Sequence, residues 1–261
     1  MTGDPVNEVQ RWLKRQGYPL EMHVAHEFRL GGWEVIQSDY YEDPDSGQQR
    51  ELDVSAHLQF DLTAPEPTRL FRLQVVVSCK LATRNPWVVF TAPHNTPESE
   101  GILRRPATKQ GAALLARTTH PMFELALHSL PARLGYGITT AHVDQGKSAG
   151  KDAAYEASWS AIKAASCLAS KFDSFAEKGD DIVMVFYPLV VVERLLLEAY
   201  LDEAAEVRVE PIERATLLWR ERVADASRTV LHVVAHTALH QFVTDARAAY
   251  DTLRVEAGYY D

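Results

Sequence analysis

Three short stretches in the first 80 residues place polar side chains where the surrounding pattern calls for apolar ones. In Arg50-Glu51-Leu52-Asp53-Val54 an aspartate interrupts an extended run. Two-residue alternation puts Glu51, Asp53 and Ser55 on one face and Leu52, Val54 and Ala56 on the other. In Val75-Val76-Val77-Ser78-Cys79-Lys80 a lysine closes an apolar strand, on the face of Ser78. On the helix that begins Leu20-Glu21-Met22-His23-Val24, Glu21 and Glu27 lie about 60° to either side of the Leu20/Val24 stripe. An acid from a helix, an acid from one strand and a lysine from the next can meet at one spot. Carboxylate oxygens suit Mg²⁺ or Mn²⁺. Such an ion polarises a phosphate and lowers the pKa of bound water, while a lysine orients that water or offsets developing charge.

The elements that must position these residues are legible from periodicity. Residues 5 to 16 read as a short amphipathic helix carrying Val6, Val9, Trp12 and Leu13, ended by Gly17 and Pro19. A second helix runs from Leu20 to Leu30, with Gly31-Gly32 as its stop. Trp33 to Tyr41 and Arg50 to Phe60 flank an acidic, glycine-containing turn and read as a hairpin. Leu70 to Lys80 is a third strand, and its uninterrupted valines imply burial on both faces. A strand at Pro86 to Ala92 follows, then a surface loop over 93–106 and a helix from Ala107 to Arg117. Next come a strand from Tyr136 to Val143, an alanine-rich helix from Lys151 to Glu177 and a strand from Ile182 to Tyr187. Extended segments are expected at Leu189 to Val192 and Glu206 to Ile212, a last strand at Arg228 to Ala235 and a closing helix from His236 to Leu253. The class is α/β, a mixed sheet flanked by helices. A soft boundary near Gly146 divides a core, 1–146, from a helical and strand extension, 147–261, with which the sheet can be continuous.

This order resembles the PD-(D/E)xK nuclease superfamily, the restriction-endonuclease-like fold. The match consists of an acid-bearing helix, Gly32-Trp33 opening strand one, a hairpin, Asp53 in strand two and Ser78-Cys79-Lys80 ending the next strand, over roughly residues 20 to 92. In Mrr-like and archaeal Holliday-junction-resolvase-type members the helix acid stands about eleven residues before the glycine, which selects Glu21 over Glu27. The resemblance implies a Mg²⁺- or Mn²⁺-dependent endonuclease acting on DNA, in the manner of bacterial antiphage or restriction nucleases. Glu21, Asp53 and Lys80 are then catalytic, and Asp53, Glu21, Glu51 and Ser78 are the metal-side oxygens. The family pattern has a carboxylate where this chain has Ser78, which removes one negative charge from the metal site. Glu51 or a water held by Ser78 can compensate. The alternative is a catalytically inactive nuclease-like module that binds nucleic acid or a partner protein.

Arg84, Arg104, Arg105 and Lys109 form the candidate nucleic-acid surface, since phosphate backbones are bound mainly by charge. Arg69, Arg72 and His94 are near the same segments. The alanine-rich helix and the apolar stretch 182–200 offer surface for a second copy or a defence-system partner. His232, His236 and His240 are spaced by four, but no glutamate separates the last two as a zincin requires, so a structural role is favoured over zinc. Cys79 and Cys167 provide no disulfide framework, and Cys79 reads as a buried thiol. The 261 residues are 46% apolar and 24% charged, with a net charge of -9. This excludes a disordered chain and a uniformly basic coat. The N-terminus has no apolar signal region, and the apolar run Ile182 to Val192 is too short to span a bilayer, so a cytoplasmic protein is expected. No P-loop, G-x-S-x-G or G-x-G-x-x-G occurs.

Overall fold

The structure, a computed structural model, describes residues 4–43, 46–62, 69–81, 85–93, 103–118, 125–142, 152–175, 181–193, 195–220 and 228–259. The helices are α1 (Pro5–Leu13), α2 (Tyr18–Leu30), α3 (Lys109–Arg117), α4 (Ala153–Phe175) and α5 (Leu239–Glu256). The strands are β1 (Glu34–Glu42), β2 (Gln49–Leu62), β3 (Arg69–Lys80), β4 (Trp87–Pro93), β5 (Leu103–Arg104), β6 (Arg133–Thr140), β7 (Asp181–Val192), β8 (Leu196–Leu201), β9 (Val207–Ile212), β10 (Arg214–Trp219) and β11 (Arg228–Ala235). They form one mixed sheet in the order β1-β2-β3-β7-β11-β10-β6-β4-β8-β9, with β5 beside the start of β11. Strands from either side of residue 146 interleave, so the expected core and extension share this sheet. The chain is α/β, and among the described residues no helix is long and apolar enough to cross a membrane.

β1, β2 and β3 pair antiparallel in sequence order, and β7 adds parallel to β3, with Lys80 opposite Val192. α2, α3 and α5 cover one face and α4 the other. β7 alternates between them: Val185, Tyr187, Leu189 and Val191 pack toward α2 and α5, while Met184, Phe186, Val190 and Val192 pack toward α4. It therefore runs unbroken through Pro188 as a single strand, where the sequence suggests two segments. Ahead of Pro188, Phe186 N donates to Pro106 O and Met184 N to the Thr108 hydroxyl. From Leu189 onward β11 is the neighbour. Pro188 falls between the two partnerships, where its missing N–H leaves no acceptor waiting.

The surface expected for partner docking is largely core. α4 buries Ala154, Ala157, Ala161, Ala164 and Ala165 against the sheet, and the 183–192 segment is fully covered. Small side chains there let helix and sheet approach closely. β8 and β10 are strands that sequence periodicity misses, because Leu-Leu-Glu-Ala and Ala-Thr-Leu-Leu lack the alternation of a half-buried strand. α2 starts at Tyr18, so Pro19 lies inside its first turn, where a missing N–H costs nothing. It stops where Gly32 turns to φ 78° and Trp33 N returns to Phe28 O.

Candidate active site

Glu21 sits in the first turn of α2 and is half-buried. Burial raises its carboxyl above the usual range; the charges of Asp53 and Glu51 raise it further, and Lys80 pulls it part of the way back. Side chains from α2, β2 and β3 thus share one electrostatic neighbourhood at the end of β3. Glu27, its sequence alternative, points elsewhere, with Oε2 3.3 Å from His240 Nδ1 on α5.

Asp53 does structural work in addition. Its Oδ2 accepts from the Cys79 backbone N–H at 2.6 Å and from the Ser78 hydroxyl at 3.4 Å, tying β2 to the end of β3. Strict alternation breaks here. Val54 packs toward α2, but Leu52, two residues away, packs toward α4 with Tyr41. On β1, Ser38 lies between Gln37 and Asp39, the partners of Val54 and Leu52, and its φ is 52°. The expectation of a shared face for Glu51, Asp53 and Ser55 therefore fails: Ser55 is buried and receives a hydrogen bond from Gln74 at 2.7 Å, away from Asp53. Glu51 is exposed. Ser78 is buried, and Cys79 is buried on the opposite face, where burial and then the charges of Asp53 and Glu21 push its thiol up. Such a thiol is inert at neutral pH. Three carboxylates are the right oxygen chemistry for Mg²⁺. Among the described residues, however, no three acidic, histidine or cysteine side chains already stand in metal-holding geometry.

Lys80 lines a cleft of about 820 Å³ on the α4 side, together with Tyr41, Asp43, Arg50, Tyr155, Trp159 and Lys163. Asp43 is buried there and paired with Lys163 at 3.2 Å and Arg50 at 3.6 Å. Sequence reasoning missed this group, because Lys163 is one cation on an alanine-rich helix and Arg50 one residue of a hairpin.

Of the expected nucleic-acid residues, Arg104, Arg105 and Lys109 are not brought to the site. Ala107 bridges Val185, which pairs with Leu73, seven residues before Lys80, or about 23 Å along the strand. Arg104 and Lys109 are exposed around that distant segment, and Arg84 and His94 lie outside the described residues. Arg105 points inward. It donates to Leu127 O at 2.8 Å and lies over the Tyr187 ring, 5.8 Å from its centroid, while its buried Nε has no partner among the described residues. His128 bonds the Tyr187 hydroxyl, and His232 packs against the same ring. Burial, with Arg105 next in order, holds both histidines neutral, His232 down to about 3. Arg105 is thus a core cation and the phosphate-tracking role does not apply. His236 stacks on His23 at 5.6 Å, and no zinc ligand set forms from it among the described residues.

Comparison with protein-family models, curated proteins and solved structures returns no match.

Proposed function

We propose that the chain is a metal-dependent nuclease that hydrolyses DNA phosphodiester bonds, a nuclease of the antiphage or restriction type. The reading assigns catalysis to Glu21, Asp53 and Lys80. The observation that carries it is the coupling of Glu21 to Asp53, Glu51 and Lys80 across three elements. The order in which α2, the β1-β2 hairpin and β3 follow one another supports the resemblance to PD-(D/E)xK nucleases.

Held by Asp53 and Glu21, with Glu51 or Ser78 adding oxygen, Mg²⁺ or Mn²⁺ would polarise the phosphate and lower the pKa of its water. The chain's own groups supply the rest. Asp53 is anchored by the Cys79 N–H, which fixes its second oxygen in direction. As the water oxygen bonds to phosphorus, its proton passing to solvent, and the P–O bond to the leaving oxygen breaks, that oxygen taking a proton from solvent, negative charge grows on the phosphate. The Lys80 ammonium offsets it. Glu21 binds a proton more readily than an ordinary glutamate, so in the metal-free protein it relieves the repulsion among the three acids.

The test is cleavage of plasmid and oligonucleotide DNA in Mg²⁺ or Mn²⁺. Glu21→Gln, Asp53→Asn and Lys80→Met each lower the rate, Lys80→Met by about 10²–10³-fold. Activity indifferent to all three refutes the assignment. A specific observation favours a second reading, an inactive module that binds nucleic acid or a partner protein: Ser78 brings no charge, and the described acids are not in metal-holding geometry. No cleavage by the wild type or by Ser78→Glu selects it.

A further inference from the structure

The cleft beside Lys80 is larger than a single phosphate needs. Its roughly 820 Å³ lies toward the upper end of small-ligand clefts, and its wall is aromatic as well as charged. Tyr155, on the first turn of α4, is 52% exposed, and its ring leans on Trp219 with 5.0 Å between centroids. Trp219 stacks in turn on Trp159 at 6.1 Å. Lys163 covers Trp159 from 5.1 Å, so the ring left open to the cleft is that of Tyr155.

The charges sort in the same way. Lys163 is held by Asp43. Asp152 spends its oxygens on Thr139, Thr140 and the amide of Ala154, which together hold its carboxyl below the usual range despite burial. Glu156, exposed on the same turn, also lines the cleft. Lys80 acts on Glu21 through its charge but makes no contact ion pair among the described residues, and the Arg50 side chain is half exposed. An open aromatic ring backed by two more, next to the Lys80 ammonium and a half-exposed guanidinium, suits a flat heterocycle bearing a phosphate. Duplex DNA keeps its base faces stacked inside and has none to lay on the ring.

We propose that this cleft seats one unpaired nucleotide of single-stranded DNA, its base on Tyr155 and its phosphate toward Lys80 and Arg50. The proposal rests on the nuclease reading for the position of the cut, since Lys80 belongs to both; the binding itself is independent of metal.

The test is anisotropy of a labelled ten-nucleotide oligothymidylate and of the matching duplex with the full chain in EDTA. Single strand binds at least about tenfold more tightly than duplex. Tyr155→Ala weakens it by about five- to a hundredfold, whereas Tyr155→Phe and Tyr155→Trp retain it, because stacking needs the ring and not the hydroxyl. Equal binding of single strand and duplex overturns the proposal, as does a Tyr155→Ala protein that is folded by circular dichroism and binds like wild type. Loss of binding in Tyr155→Phe as severe as in Tyr155→Ala also overturns it. Cleavage of the same oligonucleotides in Mn²⁺ separates the two ideas. Tyr155-dependent binding without cleavage removes the nuclease reading and leaves the cleft; cleavage with Tyr155-independent binding does the reverse.

Discussion

Replacing Asp53 separates its structural duty from its chemical one. The carboxylate accepts the Cys79 N–H at 2.6 Å, in the range of a charge-assisted hydrogen bond. Such bonds contribute about 1.5–3 kcal/mol, against about 0.5–1.5 kcal/mol for a neutral one. Asp53→Asn keeps an oxygen for the Cys79 N–H and should cost about 1 kcal/mol. Asp53→Ala leaves that N–H, beside a buried residue, without an acceptor and should cost about 2 kcal/mol, including the lost contact to Ser78. Both variants remove a negative charge that pushes Glu21 up. The Glu21 pKa should therefore fall in each, while remaining above ordinary because burial is the first cause. A raised folded-state carboxyl favours the fold at low pH and loses that contribution as pH rises through its folded pKa. The Asn variant should flatten this loss. Urea unfolding at several pH values, with carboxyl titration followed by NMR, measures both effects. Equal stability of the Asn and Ala proteins, or an unmoved Glu21, would refute the reasoning, whatever happens to cleavage.

Ser78→Glu restores a carboxylate two residues before Lys80 and should raise affinity for Mn²⁺ measured by calorimetry; because Ser78 is buried next to Asp53, it should also lower stability without metal. His232, held neutral with a pKa of about 3, stabilises the fold above pH 6.5, and that stabilisation is lost as pH falls toward 3, on the order of 5 kcal/mol in full; His232→Gln should remove this part of the acid sensitivity in urea melts, and an NMR titration of His232 near 6.5 would contradict it. Gly111→Ala drives a Cβ into the Met184 carbonyl oxygen, a backbone atom that cannot step aside, so it should lower the unfolding free energy by roughly 2 kcal/mol or more, read by thermal melting.

The strands that carry the candidate site were the most legible part of the fold. β2 and β3 announce themselves by β-branched residues around single polar interruptions, and Gly31-Gly32 marks the end of α2 through a left-handed cap that only the second glycine adopts. β7 was misread because proline ordinarily ends a ladder, whereas here its neighbours change partner at that residue. β8 and β10 were invisible because their burial comes from the sheet as a whole and not from alternation along either strand. The surface expected at 182–200 is covered over 183–192 for the same reason, while Leu195 stays exposed: an apolar run says that it will be covered, and only topology says by what.

The site divides along similar lines. Glu21, Asp53 and Lys80 stand out because each violates a local pattern, and a violated pattern is what sequence can register. Their distances from one another are set by the pairing of β2 with β3 and by the packing of α2, both long-range. The cleft violates nothing locally. Tyr155, Trp159 and Lys163 sit at ordinary helical positions, and Trp219 arrives from a strand that sequence did not reveal. Arg105 shows the opposite error. In sequence it belongs to a basic pair before a helix, the usual look of a phosphate-binding surface, yet Arg104 stays outside while Arg105 turns toward Tyr187. A cation buried with a carbonyl and a ring adds to burial in lowering the pKa of the histidines around it and cannot be read from charge alone. Charge in sequence therefore identified candidate ligands for phosphate, and burial decided which of them can reach one.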